Sequence, residues 1–361
     1  MHIDDYLRVL AEKGGSDLHL KAGGAAYARI DGELIELVQL PRLSPADTHR
    51  LTEQMLDPAS RARLELGQEV DFAYSVAGLG RFRVAVFRQR GSTGVVIRRV
   101  LPGAPQLSDL GLPPAVRKLA EEQRGLVLVT GPTGSGKTTT TAAMLSFINS
   151  TRRCHIVTVE DPIEILHSDD RAIVDQREVG LDTASFGTAL RSIARQDPDV
   201  IFIGEMRDIE TVDAALQAAE TGHFVLSTLH TTNATETVNR ILDMYPAHHQ
   251  GQARLSLANS LKGIICQRLL PRVEGGQVAA LEILVMTSRI QEFMLDPQKL
   301  EYVQDAVAEG AYYGMQTFDQ HILSLYQQGI VSQGDALAGA TSPHDLRLAI
   351  RSAGHVVAAA H

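Results

Sequence analysis

The sequence is poor in the residues that build stacking platforms, thiolate metal sites and membrane spans. It has no tryptophan, and aromatic residues make up 5% of its 361 positions, so surfaces on which single-stranded nucleic acid stacks are scarce. Its two cysteines, Cys154 and Cys266, lie far apart. Alone they cannot form a four-thiolate zinc site, and they indicate no disulfide framework. No apolar run approaches the roughly 18 residues that a membrane-spanning helix needs.

The sequence also has fewer basic residues than acidic residues. Lysine and arginine number 34 against 43 aspartates and glutamates, which gives a formal net charge of −9. Because neutralised phosphates supply much of the affinity for DNA, this balance disfavours nucleic acid as a partner. The first five residues are acidic and lack the apolar segment of a secretory signal, so a cytoplasmic location is expected.

The first hundred residues predict a small α+β domain. At roughly 100–200 residues per domain, the chain length predicts two or three domains. The pattern of residues 1–100 indicates these elements: a helix over 3–11, a strand at 16–20, a hairpin turn at Asp31-Gly32, a helix start at Ser44-Pro45 and a strand at 81–88. Two prolines and a glycine within residues 101–105 oppose regular structure and predict a linker at 101–111.

Residues 112–286 predict an α/β domain. Apolar runs at 126–129, 156–159, 200–203 and 224–226 alternate with helical patterns, one at 208–220 and one that begins near Lys137. Strands that are apolar on both faces and separated by helices indicate a mostly parallel sheet. Residues 287–361 predict helices only.

The most specific motif follows the first of these apolar runs. Residues 131–138 read Gly-Pro-Thr-Gly-Ser-Gly-Lys-Thr and match the phosphate-binding loop G-x-x-x-x-G-K-[ST] in full. Its glycines let backbone amides turn towards phosphate oxygens, and the following helix directs its positive end there. Lys137 is expected to reach the β- and γ-phosphates, and the Thr138 hydroxyl to ligate Mg²⁺. The expected ATP-binding residues are Gly131, Pro132, Thr133, Gly134, Ser135, Gly136, Lys137, Thr138 and Thr139.

Hydrolysis also needs carboxylates at the carboxyl ends of neighbouring strands. The acidic residues 160–164 follow the second apolar run, and Glu205 follows the third after one glycine. His230 lies just beyond the fourth strand and can hydrogen-bond a γ-phosphate or a water, whereas His223 precedes that strand. Each of these side chains is alternatively a helix cap, a packed group or a solvated loop residue.

Four arginines are further candidates. Arg81 and Arg83 share one face of their strand, and Arg195 and Arg207 are expected near the carboxyl ends of the sheet. An arginine from another domain or subunit can neutralise charge on a transferred phosphoryl group. The alternative for each is a surface cation or an ion pair.

In this order, the motifs resemble those of the secretion-type hexameric ATPases, most closely the PilT twitching-motility branch. The resemblance covers nearly the whole chain. The matching segments are residues 16–20, 131–138, 159–164, 176–180, 195–199, 203–208, 221–223, 230–231 and 314–319.

The resemblance implies a PAS-like N-terminal domain, a RecA-like ATPase core, C-terminal helices and a ring of six identical copies that binds ATP and Mg²⁺. It also implies that residues 160–164 are the Asp box of the family, in which Glu164 activates the attacking water. Glu205 matches the atypical Walker B glutamate, which acts on Mg²⁺.

The same resemblance assigns the remaining candidates. His223 and His230 match the His box of the family. Arg81 and Arg83 would approach phosphate from across a domain or subunit boundary. In the motor that this implies, bound ATP draws the N-terminal domain in, hydrolysis releases it, and the linker is the hinge.

The branch of the family determines the direction of force. Assembly and type II secretion motors usually carry an extra N-terminal domain and a tetracysteine zinc insert, and this chain begins at the PAS-like domain without those cysteines. The resemblance therefore implies type IV pilus retraction, through peripheral contact with an inner-membrane platform protein and with a paralogous retraction ATPase as a further candidate partner. Residues 287–294 depart from the Ala-Ile-Arg-type motif of PilT-like proteins, so a PilU-like accessory ATPase or a secretion-system assembly ATPase is the alternative.

Two functions from other classes also stay open at this point. One is a nucleic-acid translocase, which the net charge of −9 disfavours. The other is a structural subunit that binds ATP without hydrolysing it, which Glu164 and Glu205 disfavour.

Overall fold

Two units divide the chain in the computed structural model, which describes residues 1–30 and 32–358. The first unit contains Met1–Gly103 and the short later segment Glu164–Leu166. The second contains Ala104–Ile163 and the chain from His167 onward. Asp31, in the predicted hairpin turn, lies outside the described residues, and the strands on either side of it pair antiparallel.

The first unit is an α+β domain around one antiparallel sheet. Its helices are α1 (Ile3–Glu12), α2 (Pro45–Glu53) and α3 (Pro58–Glu65). Its strands are β1 (Asp17–Lys21), β2 (Tyr27–Ile30), β3 (Glu33–Glu36), β4 (Val70–Val76), β5 (Gly80–Gln89) and β6 (Ser92–Arg99). They form a six-stranded sheet in the order β3-β2-β1-β6-β5-β4. Alternate residues of the strands, such as Phe82, Val84 and Val86 on β5, are buried in the core against the helices.

The helix predicted at Ser44 is confirmed, and its start shows the expected hydrogen bonds. The Ser44 hydroxyl accepts from the Asp47 amide at 3.2 Å, and the Asp47 carboxylate accepts from the Ser44 amide at 3.0 Å. This reciprocal pair is a capping box, which satisfies two amides that would otherwise lack partners at a helix start. Pro45 fits the first helical position because it has no amide hydrogen to satisfy.

The stretch 101–111 is more regular than its prolines predict. Strand β7 (Leu101–Pro102) pairs parallel with the later strand β10 (Ile165–Leu166), and residues Leu107–Leu110 form a single 3₁₀ turn. The expectation that this stretch avoids regular structure is wrong for these residues. The physical reason is that a strand of two residues needs few hydrogen-bond donors. Proline has no amide hydrogen to donate, and the amide of the next residue, Gly103, donates to the Leu166 carbonyl at 3.2 Å.

The second unit is built on a mostly parallel sheet, as predicted. Its strands are β8 (Gly125–Thr130), β9 (His155–Glu160), β11 (Ile173–Glu178), β12 (Val200–Ile203), β13 (Phe224–Leu229), β14 (Leu261–Pro271) and β15 (Gln277–Val285). They form a seven-stranded sheet in the order β11-β9-β12-β13-β8-β14-β15. Only the pair β14–β15 is antiparallel within this sheet. The sequence pattern missed β11, β14 and β15.

Helices cover both faces of this sheet, which explains why β8, β12 and β13 are buried along their whole length. They are α4 (Pro114–Ala120), α5 (Lys137–Thr151), α6 (Phe186–Ile193), α7 (Ile209–Glu220), α8 (Ala234–Asp243) and α9 (Gln250–Ser260). The C-terminal helices are α10 (Ser288–Leu295), α11 (Val303–Glu309), α12 (Phe318–Gln327), α13 (Gln333–Gly339) and α14 (Pro343–Ala358). Among the described residues, no helix has the length and apolar composition that crossing a bilayer requires.

His321 joins the C-terminal helices to the sheet as a neutral acceptor. Its Nδ1 atom, on α12, accepts a hydrogen bond from the Leu281 amide of β15 at 2.9 Å. Burial lowers the pKa of His321 from 6.5 to about 4, because the apolar surroundings disfavour the charged imidazolium.

This histidine predicts acid sensitivity of the second unit. As the pH falls through 6.5 the unfolded chain takes up a proton at His321, and the folded chain does not until about pH 4, so unfolding becomes more favourable over that interval. At about 1.4 kcal/mol for each pH unit, the loss at this site amounts to roughly 3 kcal/mol.

Urea unfolding between pH 7.5 and 4 measures that slope. We expect His321→Asn, which keeps an acceptor for the Leu281 amide, to flatten the dependence of the unfolding free energy on pH. His344→Asn, at an exposed position of α14, is the matched control and should leave the slope as in the wild type. Equal slopes for wild type and His321→Asn would contradict the prediction.

Candidate active site

The loop at 131–138 is curled against strand β14, and two glycines make the curl possible. Gly131 has φ +146° and Gly136 has φ +85°, a region that side chains rarely adopt. A Cβ atom on Gly131 would lie 2.4 Å from the Gln267 carbonyl oxygen, and one on Gly136 would lie 2.7 Å from the Gln267 Nε2 atom. Both positions therefore require glycine, because of their positive φ angles and because Gln267 leaves no room for a Cβ atom.

Gln267 holds this loop in place, and it was not predicted from the sequence as a site residue. It lies on β14 and is 2% exposed. Its Nε2 atom donates to the Ser135 carbonyl at 2.7 Å, and its Oε1 atom accepts from the Thr140 hydroxyl at 2.8 Å. The available signal was an amide side chain between the apolar residues 264–266 and 269–270, with Arg268 beside it. A polar residue in a buried strand needs partners.

The start of α5 has the properties of an anion site. Its first residue is Lys137, its N-cap is Gly136, and it has neither a side-chain cap nor an acidic residue in its first turn. The Ser135 hydroxyl is buried and has no hydrogen-bond partner among the described residues. The backbone amides of a helix start, a positive helix end and the unpaired Ser135 hydroxyl fit a phosphate group. Thr138 and Thr139 are exposed beside them, so their hydroxyls are accessible to a nucleotide and its metal ion.

Lys137 begins a chain of polar contacts that runs along one edge of the sheet. Its Nζ atom donates to the carbonyls of Gly131 and Pro132 at 2.7 and 3.1 Å and lies 3.4 Å from the Nδ1 atom of His230. The other ring nitrogen of His230, Nε2, lies 3.1 Å from a carboxylate oxygen of Glu205. Because an ammonium group only donates, Nδ1 accepts and Nε2 carries the hydrogen that faces Glu205.

Glu205 links this series of polar contacts to two further charged residues. Its second carboxylate oxygen accepts from the Nε and Nη2 atoms of Arg207, each at 2.8 Å. Another nitrogen of Arg207 lies 3.8 Å from the Asp161 carboxylate. The side chain of Glu205 is 18% exposed, so part of it is accessible to a ligand.

The parallel sheet explains why these residues meet. Asp161, Glu205, His230 and the phosphate-binding loop follow β9, β12, β13 and β8 in turn, and these strands are consecutive neighbours. Parallel strands end at the same edge, where ligands bind in open α/β sheets. The Thr228 hydroxyl donates to the Gly204 carbonyl at 2.6 Å and so fixes the turn that carries Glu205.

The acidic residues 160–164 have different environments. Glu160 is buried and accepts from the Thr158 hydroxyl at 2.7 Å and from Gln176 at 3.1 Å, so its carboxylate serves the packing of β9 against β11. Glu164 is exposed and belongs to the segment grouped with the first unit. Its role towards water stays a prediction.

Two sequence candidates lie at the opposite edge of the sheet. His223 precedes β13, where its Nδ1 atom lies 2.9 Å from the Ala218 carbonyl. Arg195 precedes β12, in a loop whose Gln196 and Asp197 carbonyls contact His155, the first residue of β9. The expectation that Arg195 lies near the carboxyl ends of the strands is therefore wrong, because the loop that leads into a parallel strand lies at its amino end. The structure does not bring either residue to the phosphate-binding loop of its own chain.

The candidate arginines of the first unit lie on β5. Arg83 is exposed and Arg81 is partly buried, on the face opposite the buried Phe82 and Val84. This placement agrees with the prediction that the two arginines share one face. Their role towards phosphate stays a prediction.

Known proteins with similar sequences and structures include pilus ATPases. The sequence matches the type II/IV secretion system protein family over residues 2–327. It is 41% identical to the type IV pilus retraction ATPase PilT of Pseudomonas aeruginosa over 345 residues, 96% of this chain and 100% of that protein. It is 42% identical to the type IV pilus ATPase PilU of the same bacterium over 352 residues, 97% of this chain and 92% of that protein. The crystal structure of the pilus retraction motor PilT with bound ADP is similar with a TM-score of 0.89 and 45% identity, over 96% of this chain and 99% of that one.

The contacts of Gln267 predict that it supports nucleotide binding. Replacing it by leucine leaves the Ser135 carbonyl and the Thr140 hydroxyl without their partner, and an unsatisfied buried group costs about 1–3 kcal/mol. We expect Gln267→Leu to lower the unfolding free energy by about 2 kcal/mol and to weaken ATP binding about tenfold, a factor worth 1.4 kcal/mol.

Fluorescent-nucleotide titration and urea unfolding measure both effects. Gln277→Leu, at an exposed position of β15, is the matched control. A Gln267→Leu protein with the wild-type dissociation constant would show that the loop keeps its shape without this amide.

Proposed function

The chain belongs to the type II/IV secretion system protein family, and from that premise we propose that it is the cytoplasmic ATPase that powers retraction of type IV pili. It is an ATPase of this family, and one relative that it matches over its full length, PilT of Pseudomonas aeruginosa, is a retraction ATPase. The structural observation that supports the proposal is the chain of contacts from Lys137 through His230 to Glu205.

We propose that ATP is held by the phosphate-binding loop. The amides of residues 131–138 and the Lys137 ammonium would contact the β- and γ-phosphates, with Thr139 beside them. A phosphate group in that position offers Lys137 an anionic acceptor in place of the neutral carbonyls of Gly131 and Pro132.

Magnesium fits this site because a hydroxyl and a carboxylate are oxygen donors of the kind it prefers. Thr138 and Glu205 would hold it, and the bound ion neutralises phosphate charge and orients the terminal phosphoryl group. Arg207 pairs with Glu205 and therefore holds its carboxylate in one orientation.

Hydrolysis needs a group that orients water and one that detects the loss of the γ-phosphate. We assign the first role to Glu164, whose exposed carboxylate can accept a proton from water. The second falls to His230, because it lies between Lys137 and Glu205 and responds to a change at either one. Arg81 and Arg83, on the first unit of a neighbouring copy, would neutralise the transferred charge, and Arg195 and His223 would act between copies too.

The motor is proposed to be a ring of six copies. ATP would favour the closed arrangement of each copy by its higher affinity for that state, and hydrolysis would release it. The force would be passed to an inner-membrane platform protein by peripheral contact, with a paralogous ATPase as an additional partner.

An accessory retraction ATPase of the PilU type is the second candidate. Its support is the 42% identity to PilU over 352 residues, together with the departure of residues 287–294 from the Ala-Ile-Arg-type motif. All but the first residue of this segment lie in α10. Expression of the chain in strains that lack either ATPase separates the two functions, because each should restore only its own defect.

Two substitutions test the site directly. Lys137→Ala is expected to abolish ATP binding and hydrolysis, because it removes the cation that faces the phosphates. Glu205→Gln is expected to keep ATP affinity within about threefold and to lower kcat by roughly 10²–10³-fold, the range seen when one charge-stabilising group is lost. Lys118→Ala and Glu220→Gln, at exposed positions, are the matched controls.

Steady-state phosphate release and nucleotide titration on the purified protein give these values. Wild-type turnover in both Lys137→Ala and Glu205→Gln would show that the site assignment is wrong.

Deletion of the gene tests the direction of force. A strain without this ATPase should carry abundant surface pili and lack surface motility, because pili are assembled and not withdrawn. The wild-type gene should restore motility, and the Lys137→Ala gene should not. Cells without surface pili would instead indicate an assembly motor.

A further inference from the structure

A buried carboxylate outside the phosphate site is connected to the turn that carries His230. Glu282 lies on β15 and is 2% exposed. One carboxylate oxygen accepts from the Ala234 amide at 2.8 Å, and the other accepts from the Nε2 atom of Gln304 at 2.8 Å. Nothing in the sequence motifs or in the proposed reaction assigns a role to this group.

The first of these bonds fixes the start of α8. Ala234 is the first residue of that helix, where an amide lacks a partner within the helix and the helix end is positive. Burial raises the pKa of the Glu282 carboxyl, and the hydrogen bonds from Gln304 and Ala234 act in the opposite direction. Burying a carboxylate costs free energy unless it is hydrogen-bonded, so the bonds from Ala234 and Gln304 are what make this position tolerable.

The start of α8 in turn determines where His230 lies. Only three residues separate them, and each end of this turn is held. The Thr231 hydroxyl lies 2.7 Å from that of Thr237, and the Thr232 amide donates to Glu236 at 2.8 Å. With α8 fixed by Glu282, the turn has little freedom, and the imidazole of His230 is held between Lys137 and Glu205.

The second bond reaches the C-terminal helices. Gln304 lies on α11 and is partly buried, so a displacement of α11 would move or break its bond to Glu282. We propose that Glu282 is a positioning residue for His230, and that through Gln304 it makes the rate of ATP hydrolysis depend on the position of α11. A partner that displaces the C-terminal helices would therefore change the rate of ATP hydrolysis through Gln304, Glu282 and His230.

This inference rests on the proposed role of His230, and the experiment separates the two. The variants of the full-length oligomer are Glu282→Met, Glu282→Gln, Gln304→Leu and His230→Ala, with the double variants that combine His230→Ala with each of the others. Asp305→Asn, which removes an exposed carboxylate from the same helix α11, is the matched control. Single-turnover and steady-state hydrolysis give kcat and KM, and thermal unfolding checks that each variant folds.

We expect Glu282→Met to lower kcat about tenfold and Gln304→Leu about threefold, with KM for ATP within twofold of the wild type. Glu282→Gln should stay within twofold in kcat, because its amide oxygen still accepts from Ala234. In the His230→Ala background, Glu282→Met and Gln304→Leu should cause no further loss, because they act through the missing imidazole.

Unchanged kcat in Glu282→Met would overturn the positioning role, and unchanged kcat in Gln304→Leu would overturn the dependence on α11. The same loss in the presence and absence of His230 would overturn both. If Glu282→Met does not fold, Gln304→Leu tests the inference instead, through its kcat with and without His230. Wild-type kcat in His230→Ala would contradict the proposed role of His230 itself, whereas a slow His230→Ala beside a fully active Glu282→Met contradicts only the positioning role.

Discussion

The chain of contacts from Lys137 to His230 and Glu205 depends on one constraint, the parallel arrangement of β8, β13 and β12. Because these neighbouring strands end at the same edge, a cation, an imidazole and a carboxylate from distant parts of the sequence lie within hydrogen-bond distance of one another. The phosphate-binding loop lies at the same edge. Its conformation is held by a hydrogen bond from Gln267 of β14, which is the neighbour of β8 on the side away from β13.

Much of this arrangement could be predicted from the sequence, because the relevant signals are local. The capping box at Ser44, the apolar runs of β8 and β12, and the phosphate-binding loop each lie within a few consecutive residues. Strand order does not follow from such signals, but the direction of parallel strands does. It was enough to place Glu205 and His230 at one edge, and the expected RecA-like α/β fold class is confirmed by the similarity to PilT.

The remaining features depend on contacts between distant segments. Gln267 and Glu282 lie on the hairpin β14–β15, which was not predicted from the sequence pattern. Their partners Ser135 and Ala234 are more than forty residues away along the chain. The wrong expectation for Arg195 has a simpler cause. The rule that places Glu205 at the carboxyl edge, because it follows a strand, places Arg195 at the opposite edge, because it lies in the loop before β12. His223 follows the same rule before β13.

The central claim is that this edge of the sheet holds and cleaves a nucleoside triphosphate. A structure of the protein with magnesium and a non-hydrolysable ATP analogue tests it most directly. The account predicts the β- and γ-phosphates within the loop 131–138, Lys137 turned from the Gly131 carbonyl to phosphate, and the terminal phosphate beside Glu205 and His230. An empty loop, or a terminal phosphate far from both side chains, would contradict it.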